Sequence, residues 1–465
     1  MQESIVAIAT PSGEGAIGIV RLSGTDCIAI VDAFFPARTL VQSEARKAWF
    51  GVLSDESGEA IDEVIITLYR APASYSGEDS VEISCHGSSF ILSRVMQLCL
   101  DNGARMAQPG EFSQRAFLNG KLDLSQAEAV ADLIASTSAA AHRIALGQLR
   151  GGVSNEIGEL RQQLIHFASL IELELDFGEE DVEFADRGEL RELVDRIRSR
   201  IGALMDSFRL GNAIKLGVTT VIAGRPNAGK STLLNALLNE ERAIVSEIAG
   251  TTRDTIEETV NIGGVTFRLV DTAGIREATD TIEAIGVERA LERVRTSQLL
   301  VYVFDVVETD PDTLAADLDR LYREDLQLIV VANKMDLNPY TKFEQYFGET
   351  YTGKWAVARE DFVPMIASTK SNLAFLQERL LATATGSPAG LDQEQVILSN
   401  ARHYDALRRA DEALLRVLQG LNDGVSQDFV AMDIRQSLRE LGEITGEITT
   451  DDLLGNIFSS FCIGK

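Results

Sequence analysis

The chain has 465 residues, with 71 acidic and 43 basic side chains and a formal net charge of −28 at pH 7. This length predicts roughly two to four domains, and an apolar content of 45% excludes a wholly disordered chain. So acidic a composition argues against a generic nucleic-acid binder and against a surface that adheres to anionic membranes. Any polyanionic partner must therefore meet a local basic patch or a partner subunit.

Three features of the sequence bear on secretion, membrane insertion and disulfide bonding. The first five residues, MQESI, contain no basic segment and no long apolar core, so no signal peptide is expected. The strongest apolar run, residues 299–304, is too short to cross a bilayer. The four cysteines are scattered and form no CxxC pair. These features predict a reduced, cytoplasmic protein that does not enter the membrane.

The first part of the chain predicts a mixed α+β domain. Strand-like runs rich in β-branched residues occur at 17–22, 64–68 and 81–84, and residues 90–99 follow helical spacing. From residue 122 to about 210, alanine, leucine and charged residues predict long amphipathic helices, with a loop expected in the acidic stretch 176–189.

The middle of the chain changes to strands that alternate with helices. Short buried-strand runs are predicted at 218–223, 265–270, 299–305 and 326–332. This alternation is typical of an α/β domain with a largely parallel sheet. Sequence patterns typical of helices return after residue 390, which predicts that the α/β domain is inserted within a helical one. The predicted domains are 1–120 (α+β), 121–215 (helical, first part), 216–384 (α/β) and 385–465 (helical, second part).

A phosphate-binding loop follows the strand predicted at 218–223. Residues 224–231, GRPNAGKS, match GxxxxGK[ST] and lead directly into a helix. Glycines let backbone N–H groups wrap phosphates, and the helix N-terminus adds positive potential. Lys230 is expected to contact the β- and γ-phosphates, and the Ser231 hydroxyl to ligate Mg²⁺.

The motifs that follow specify guanine. In Asn333-Lys334-Met335-Asp336, which fits NKxD, Asp336 would pair with the N1–H and exocyclic amine of guanine, and adenine offers neither donor. Ser368 and Thr369 belong to a weak version of the second base-contact motif. Residues 271–274, DTAG, predict a carboxylate that supports Mg²⁺ and a glycine N–H at the γ-phosphate, and Thr252 in 250–254 is expected as a second Mg²⁺ hydroxyl. Together these motifs predict a GTPase.

The residues expected to contact GTP come from five segments. They are Asn227, Ala228, Gly229, Lys230, Ser231, Thr232, Ser246, Glu247, Ile248, Ala249, Gly250, Thr251, Thr252, Asp271, Thr272, Ala273, Gly274, Asn333, Lys334, Asp336, Ser368 and Thr369.

The motifs do not directly identify the residue that orients the attacking water. Many GTPases place a glutamine after DxxG to orient the attacking water, whereas this chain has Ile275, which cannot hydrogen-bond to water. A polar group from elsewhere is needed, and Glu283 is the favoured carboxylate. From the residues alone, Glu283 also fits a solvated helix charge.

The chain resembles the MnmE (TrmE) family of tRNA-modifying GTPases. The resemblance runs the whole length and includes GEFSQRAFLNGKLDL at 110–124 and the terminal FCIGK at 461–465. It implies an N-terminal domain that dimerises and binds a reduced folate of the 5-formyl- or 5,10-methylene-tetrahydrofolate type. It also implies G domains that pair in a potassium-dependent way during GTP hydrolysis.

The resemblance assigns roles to further residues. It implies K⁺ ligands at Asn227, Ser246, Ile248 (through its carbonyl) and Thr251, a catalytic role for Glu283, and folate contacts from Arg21, Glu82, Lys121 and Lys465. Because a polyphosphate repels a carboxylate, Glu283 is expected to act through a bridging water. K⁺ beside the phosphates could supply the charge that an arginine finger supplies elsewhere, worth ~10³ to 10⁵ in rate.

The family chemistry installs an aminomethyl or carboxymethylaminomethyl group on C5 of the wobble uridine of certain tRNAs, with a flavin-dependent partner protein and a folate one-carbon donor. A heterotetramer with that partner is implied. Cys462 could be a nucleophile toward C6 of uracil or a small exposed residue. Cys85 and His86 are adjacent on a predicted strand and so point to opposite faces, which predicts a structural role for both.

Two other classes of protein fit parts of the sequence. One is a regulatory or ribosome-assembly GTPase that acts as a switch without modifying RNA; the folate-like N-terminal domain and Cys462 argue against it. The other is a folate-binding methyl-group enzyme with a regulatory GTPase domain.

For an acidic chain that acts on tRNA, RNA contact by this chain alone is expected to be weak and salt-sensitive.

Overall fold

A computed structural model describes residues 3–55, 57–176, 187–240, 258–271, 294–295, 297–348, 351, 353–386 and 396–464. The chain divides into two compact units: residues 1–135, 146–197 and 406–465 form the first, and residues 136–145 and 198–405 form the second. The domain boundaries predicted from the sequence stay a prediction. Within the described parts of the chain, no helix combines the length and apolarity needed to cross a membrane.

The first unit opens with a six-stranded sheet. Its elements are β1 Ile5–Ile8, β2 Gly15–Ser23, α1 Cys27–Asp32, β3 Ala48–Ser54, β4 Ala60–Tyr69, β5 Ser80–Gly87, α2 Ser89–Asp101 and β6 Arg105–Met106, with sheet order β3-β4-β5-β2-β1-β6. The strands and the helix predicted from alternating and helical patterns are confirmed as β2, β4, β5 and α2. The core packs one sheet face against α1 and α2, through residues such as Val81, Ile83, Ile28 and Val95.

Helices complete the first unit. They are α3 Glu111–Leu118, α4 Leu124–Ala135, α5 Ala139–Leu149, α6 Gly152–Asp176, α7 Arg187–Leu216, α12 Ala401–Asp423, α13 Gln427–Thr445 and α14 Asp451–Ser459, of which α5, α7 and α12 also contribute residues to the second unit. The long helices predicted from residue 122 onward are confirmed. The loop predicted in 176–189 falls mostly on 177–186, outside the described residues. Near the C-terminus, Leu454, Phe458 and Phe461 pack against Leu124 of α4.

The second unit contains a six-stranded, mostly parallel sheet with order β12-β11-β10-β7-β9-β8. Its elements are β7 Val218–Ala223, α8 Lys230–Glu240, β8 Glu258–Ile262, β9 Val265–Asp271, β10 Leu299–Asp305, α9 Pro311–Arg320, β11 Gln327–Asn333, α10 Phe343–Phe347, β12 Phe362–Pro364 and α11 Leu373–Thr385. The four predicted strands are confirmed as β7, β9, β10 and β11. In β10 every residue is buried, which explains its unbroken apolar run.

The sequence pattern did not predict β8, which pairs antiparallel with β9 at the edge of this sheet. Residues 258–262, ETVNI, are short and half polar, and only Val260 and Ile262 are buried. The signal was present in Gly263-Gly264, a two-residue turn between β-branched runs that is typical of a hairpin.

Candidate functional site

The predicted phosphate-binding loop connects β7 to α8. Because β7 ends at Ala223 and α8 begins at Lys230, the loop lies at the carboxyl end of a central strand, where parallel sheets bind ligands. The Lys230 ammonium donates to the carbonyl oxygens of Gly224 at 2.9 Å and of Arg225 at 2.8 Å. Ser231 and Thr232 are exposed on the first turn of α8. The N–H groups of a helix's first turn have no partner within the helix, so this end can receive phosphate oxygens.

The backbone of the loop needs its glycine. Gly229 has a φ of +100°, and a Cβ there would lie 2.1 Å from the Asn333 side-chain nitrogen. Asn227, the expected K⁺ ligand of the loop, also has a positive φ of 61° and its side chain is exposed. Glycine is therefore the residue that fits position 229 of this loop.

Asn333 links three loops of the site. Its side-chain nitrogen donates to the Ala228 carbonyl oxygen at 2.8 Å, and its side-chain oxygen accepts from the Ala367 N–H at 2.9 Å. Asn333 is 3% exposed, so both bonds are shielded from water. The phosphate loop, the NKMD loop and the short 3₁₀ helix Ala367–Thr369 are thus held at fixed positions relative to one another.

The two predicted base-contact segments lie side by side. Met335 N–H donates to the Met365 carbonyl at 3.3 Å, which ties the NKMD loop to the segment after β12. Asp336, Ser368 and Thr369 are exposed, as groups that read a base edge must be. The structure therefore brings together the predicted residues of 227–232, 333–336 and 368–369 along one edge of the sheet.

An anchor of the phosphate loop was missed by sequence reasoning. The Arg225 guanidinium donates to the Asp317 carboxylate of α9 at 2.6 Å and 3.2 Å. The Tyr302 hydroxyl of β10 donates to the same carboxylate at 2.8 Å. Since Asp317 lies 92 residues from Arg225, no local pattern could reveal the contact.

Several predicted site residues lie outside the described part of the chain. They are Ser246, Glu247, Ile248, Ala249, Gly250, Thr251, Thr252, Thr272, Ala273, Gly274, Glu283 and Lys465, together with the side chain of Asp271. The backbone of Asp271 is described: it pairs with Ile222 in the β7–β9 register, one residue before Ala223 and the phosphate loop. Among the residues that the structure covers, no group of three or more His, Cys, Asp or Glu side chains could hold a metal ion.

A second concave site lies in the first unit. A cavity of about 170 Å³ is lined by Arg21, Tyr69, Tyr75, Ser76, Ser80, Glu82 and Phe112. It contains two of the four residues predicted to contact folate. The Arg21 guanidinium donates to the Glu82 carboxylate at 2.7 Å and 3.0 Å, and lies 5.6 Å from the centre of the Tyr75 ring and 5.9 Å from that of Phe112. Burial raises the pKa of the Tyr75 hydroxyl, so it stays a neutral donor at physiological pH.

The C-terminal segment reaches the same cavity. Arg21 donates to the Gly464 carbonyl oxygen at 3.4 Å, and Gly110 N–H donates to the Cys462 carbonyl oxygen at 3.4 Å. Lys121 is exposed beside the cavity: a Cβ added to Gly77, which follows the lining residue Ser76, would lie 3.1 Å from its Cγ. The structure thus places Arg21, Glu82, Lys121 and the backbone around Cys462 in one region.

The Cys85–His86 pair is not a dyad, as the strand geometry predicts. Cys85 is buried and its thiol contacts the Gly18 carbonyl oxygen at 3.5 Å, while the exposed His86 ring bonds to Asp62 at 2.7 Å. Burial raises the pKa of Cys85 to about 11, so its thiol is protonated at neutral pH.

This sheet, with a phosphate loop and an NKxD loop joined by Asn333, defines a P-loop protein of the GTPase class. The chain matches the family models "GTP-binding protein TrmE N-terminus" over residues 4–121 and "MnmE helical domain" over residues 124–462. It is 51% identical to the tRNA modification GTPase MnmE of Cytophaga hutchinsonii, covering 100% of this chain and 98% of that protein. It is also 51% identical to the MnmE of Bacteroides fragilis, covering 100% of both. The chain belongs to the MnmE (TrmE) family.

Among solved structures, the chain is similar to a variant of Era from Aquifex aeolicus bound to GDP and AlF4⁻. The identity is 25%, the match covers 43% of this chain and 67% of that one, and the TM-score is 0.27.

Proposed function

We propose that this chain is a tRNA modification GTPase: it hydrolyses GTP to GDP and phosphate and acts on tRNA. The observation that best supports GTP binding is the bridge from Asn333 to Ala228 and Ala367, which joins the phosphate loop to the guanine-contact loops. The family membership supports the same activity, because the relatives that match over their full length are named tRNA modification GTPases.

The residues that the structure describes perform the binding steps. The first turn of α8 and the Lys230 ammonium receive the phosphates, and Asp336 reads the guanine edge. The Lys230 ammonium donates to the Gly224 and Arg225 carbonyl oxygens; because an ammonium has three N–H donors, it can hold this loop and also receive a phosphate oxygen. Mg²⁺, which neutralises charge on the β- and γ-phosphates, would be held by Ser231 with Thr252. K⁺ would be held by Asn227 with Ser246, Ile248 and Thr251.

In hydrolysis, a water oxygen forms a bond to the γ-phosphorus while the bond to the β,γ-bridging oxygen breaks. We assign the orientation of that water to Glu283, acting through a second water. A Glu283→Ala variant should lose most turnover and keep its nucleotide affinity, measured by phosphate release and by fluorescent-GTP titration in KCl and in NaCl. Glu324→Ala, at an exposed glutamate in the same domain, is the matched control. Full turnover by Glu283→Ala would contradict the assignment.

The cavity of the first unit supports a reduced-folate site. Its donors and acceptor, Arg21, Tyr69 and Glu82, surround a space bordered by the Tyr75 and Phe112 rings, and such a set fits a flat heterocycle with polar edges. Glu82 would accept from the pterin edge, while Arg21, Lys121 and Lys465 suit the glutamyl carboxylates. Equilibrium dialysis with 5-formyltetrahydrofolate should show binding that Glu82→Ala abolishes and Glu59→Ala, at an exposed glutamate just before β4, leaves intact.

The open face of the first sheet supports a homodimer. Phe50 and Ile65 are directly opposite each other in the β3–β4 register and are 68% and 46% exposed. The strand registers place Glu82 and Arg21 on this same face, so a second copy would also cover the cavity. Phe50→Glu should convert the dimer to a monomer in light scattering, whereas Phe90→Glu, on the exposed side of α2, should not. A Phe50→Glu variant that remains dimeric would contradict this interface.

The finer chemistry is proposed from the family resemblance. The chain would act in the cytoplasm in a heterotetramer with a flavin-dependent partner protein, and would add an aminomethyl-type group to C5 of the wobble uridine. The folate would be the one-carbon donor, and Cys462 is a candidate nucleophile. Reconstitution with partner, GTP, K⁺, reduced folate and tRNA, followed by nucleoside mass analysis, tests it. Unchanged wobble uridines in a deletion strain would favour a regulatory GTPase instead. tRNA binding by the chain alone should weaken steeply with salt.

A further inference from the structure

Asp305, the last residue of β10, belongs to none of the motifs that carry the proposed function. It is 4% exposed, and in the β10–β11 register it pairs with Asn333. Burying a carboxylate this deeply costs free energy unless hydrogen-bond donors or a positive charge compensate. The groups that bond to Asp305 therefore indicate its role beside the 334–337 turn.

The Asp305 carboxylate accepts hydrogen bonds from the Lys334 side chain and from the backbone that follows β10, including the Glu308 N–H. One oxygen accepts from the Lys334 ammonium at 2.6 Å, and the other accepts from the Val307 N–H at 2.9 Å. Burial alone would raise the pKa of this carboxyl, but the hydrogen bond and charge of Lys334 and the Val307 N–H outweigh burial and hold the pKa below its usual range. Lys334 and Asp305 are therefore both charged at neutral pH and form a short, charge-assisted pair.

Lys334 starts the turn that carries Asp336. Its φ is +63°, in the left-handed region that residues with a side chain seldom adopt. Its carbonyl oxygen accepts from the Leu337 N–H at 2.9 Å, so residues 334–337 form a closed turn with Asp336 inside it. A residue in this strained conformation persists only where its surroundings hold it there.

We infer that Asp305 is a positioning residue for guanine recognition: by holding the Lys334 side chain, it keeps the 334–337 turn in the conformation that presents the Asp336 carboxylate to the base. This inference rests on the proposed GTP-binding function. It deepens that function by assigning a specificity role to a buried residue outside the predicted GTP contacts.

The test compares GDP with IDP, which lacks the exocyclic amine that Asp336 reads. In Asp305→Asn, the shape is kept and the charge is lost, so GDP affinity should fall about tenfold, as for one charged hydrogen bond. IDP makes one contact fewer with Asp336 and should lose about threefold, so the GDP-to-IDP affinity ratio falls. The matched control is Asp310→Asn: Asp310 caps α9 through the Thr313 N–H, and asparagine caps equally well.

A double-mutant cycle shows whether Asp305 acts through Lys334. Lys334→Met should lower the same ratio, and adding Asp305→Asn to it should lower the ratio no further. If Asp305→Asn does not fold, as judged by thermal melting, Asp305→Ser replaces it in the cycle, because serine is smaller and still offers an oxygen to the Val307 N–H.

The outcomes separate the inference from the function on which it rests. A wild-type chain that does not prefer GDP to ADP would overturn the proposed function. A wild-type chain with that preference, in which Asp305→Asn keeps the GDP-to-IDP ratio or weakens GDP and IDP equally, would overturn only the role of Asp305.

Discussion

The side-chain nitrogen of Asn333 donates a hydrogen bond to the carbonyl oxygen of Ala228 at 2.8 Å, across 105 residues of sequence. Ala228 belongs to the phosphate loop and Asn333 to the guanine motif, so one buried amide joins the two halves of the nucleotide site. The bond should matter for folding stability as well as for nucleotide binding, because both groups are shielded from water and each would lack a hydrogen-bond partner without the other.

Asn333→Ala should therefore weaken both folding and nucleotide binding. The Ala228 carbonyl and the Ala367 N–H would each lose a buried partner, which costs about 2 kcal/mol or more. We expect a lower urea midpoint and a GDP affinity reduced more than tenfold, measured by denaturation and by fluorescent-GDP titration. Asn338→Ala, in the loop that follows, is the control and should leave both nearly unchanged. Wild-type GDP affinity in Asn333→Ala would show that the bridge is dispensable.

Gly229→Ala should abolish nucleotide binding. The added methyl carbon would lie 2.1 Å from the Asn333 side-chain nitrogen, at a φ of +100° that alanine does not tolerate. The loop must shift, and the Asn333 bridge with it. The same substitution at Gly202, inside α7 with nothing within 4 Å of a new Cβ, should instead be neutral or stabilise the chain by about 0.5–1 kcal/mol. Titration with fluorescent GDP and thermal melting distinguish the two variants.

Sequence patterns were sufficient for seven of the described strands, for the long helices and for the order of the motifs, but not for shorter strands such as β8. β10 and the phosphate loop are local features: an unbroken apolar run predicts a buried strand, and glycine spacing predicts a loop that wraps phosphates. Because parallel strands end at one edge of a sheet, the meeting of residues 224–231 with 333–336 also follows from the predicted topology.

The contacts that fix the site could not be predicted in this way. Asp305 to Lys334 and Arg225 to Asp317 join residues 29 and 92 positions apart, and each carboxylate resembles a solvated surface charge in the sequence. The cavity around Arg21 is assembled from β2, β4, β5, the loop before β5 and α3. Of its aromatic walls, Tyr75 lies in no motif, and Phe112 lies in the 110–124 segment, which assigned that ring no role. Such sets arise only from tertiary packing.

Glu111 makes the stability of the first unit depend on acid. It is 7% exposed and accepts hydrogen bonds from Arg105 at 2.6 and 2.8 Å and from Arg115 at 2.9 Å. Burial would raise its pKa, but these arginines and the Gln108 N–H lower it from 4.5 to about 2. The ionised carboxylate therefore stabilises the fold above pH ~4.5, by about 3 kcal/mol, and this contribution is lost as the pH falls toward 2.

A Glu111→Gln variant isolates this effect. It should unfold at lower urea than the wild type at pH 6, and the gap between the two should close as the pH falls toward 2, since both side chains are then neutral. Glu3→Gln is the control: Glu3 also bonds to Arg105, but its side chain is 75% exposed, so its effect should be small. A gap that stays constant with pH would mean that the charge of Glu111 does not matter.

The four cysteines should differ sharply in reactivity. Burial raises the pKa of Cys27 and of Cys99 to about 12 and that of Cys85 to about 11, whereas Cys462 is exposed. Since the thiolate is the reactive form, a thiol reagent at pH 7.5 should modify Cys462 rapidly in the folded chain and the other three only after unfolding. Peptide mass analysis after brief treatment with iodoacetamide identifies the labelled residue, and Cys462→Ser should remove the fast reaction. Fast labelling of Cys85 would contradict its burial, while GTP hydrolysis that survives labelling would show that the terminal thiol takes no part in that step.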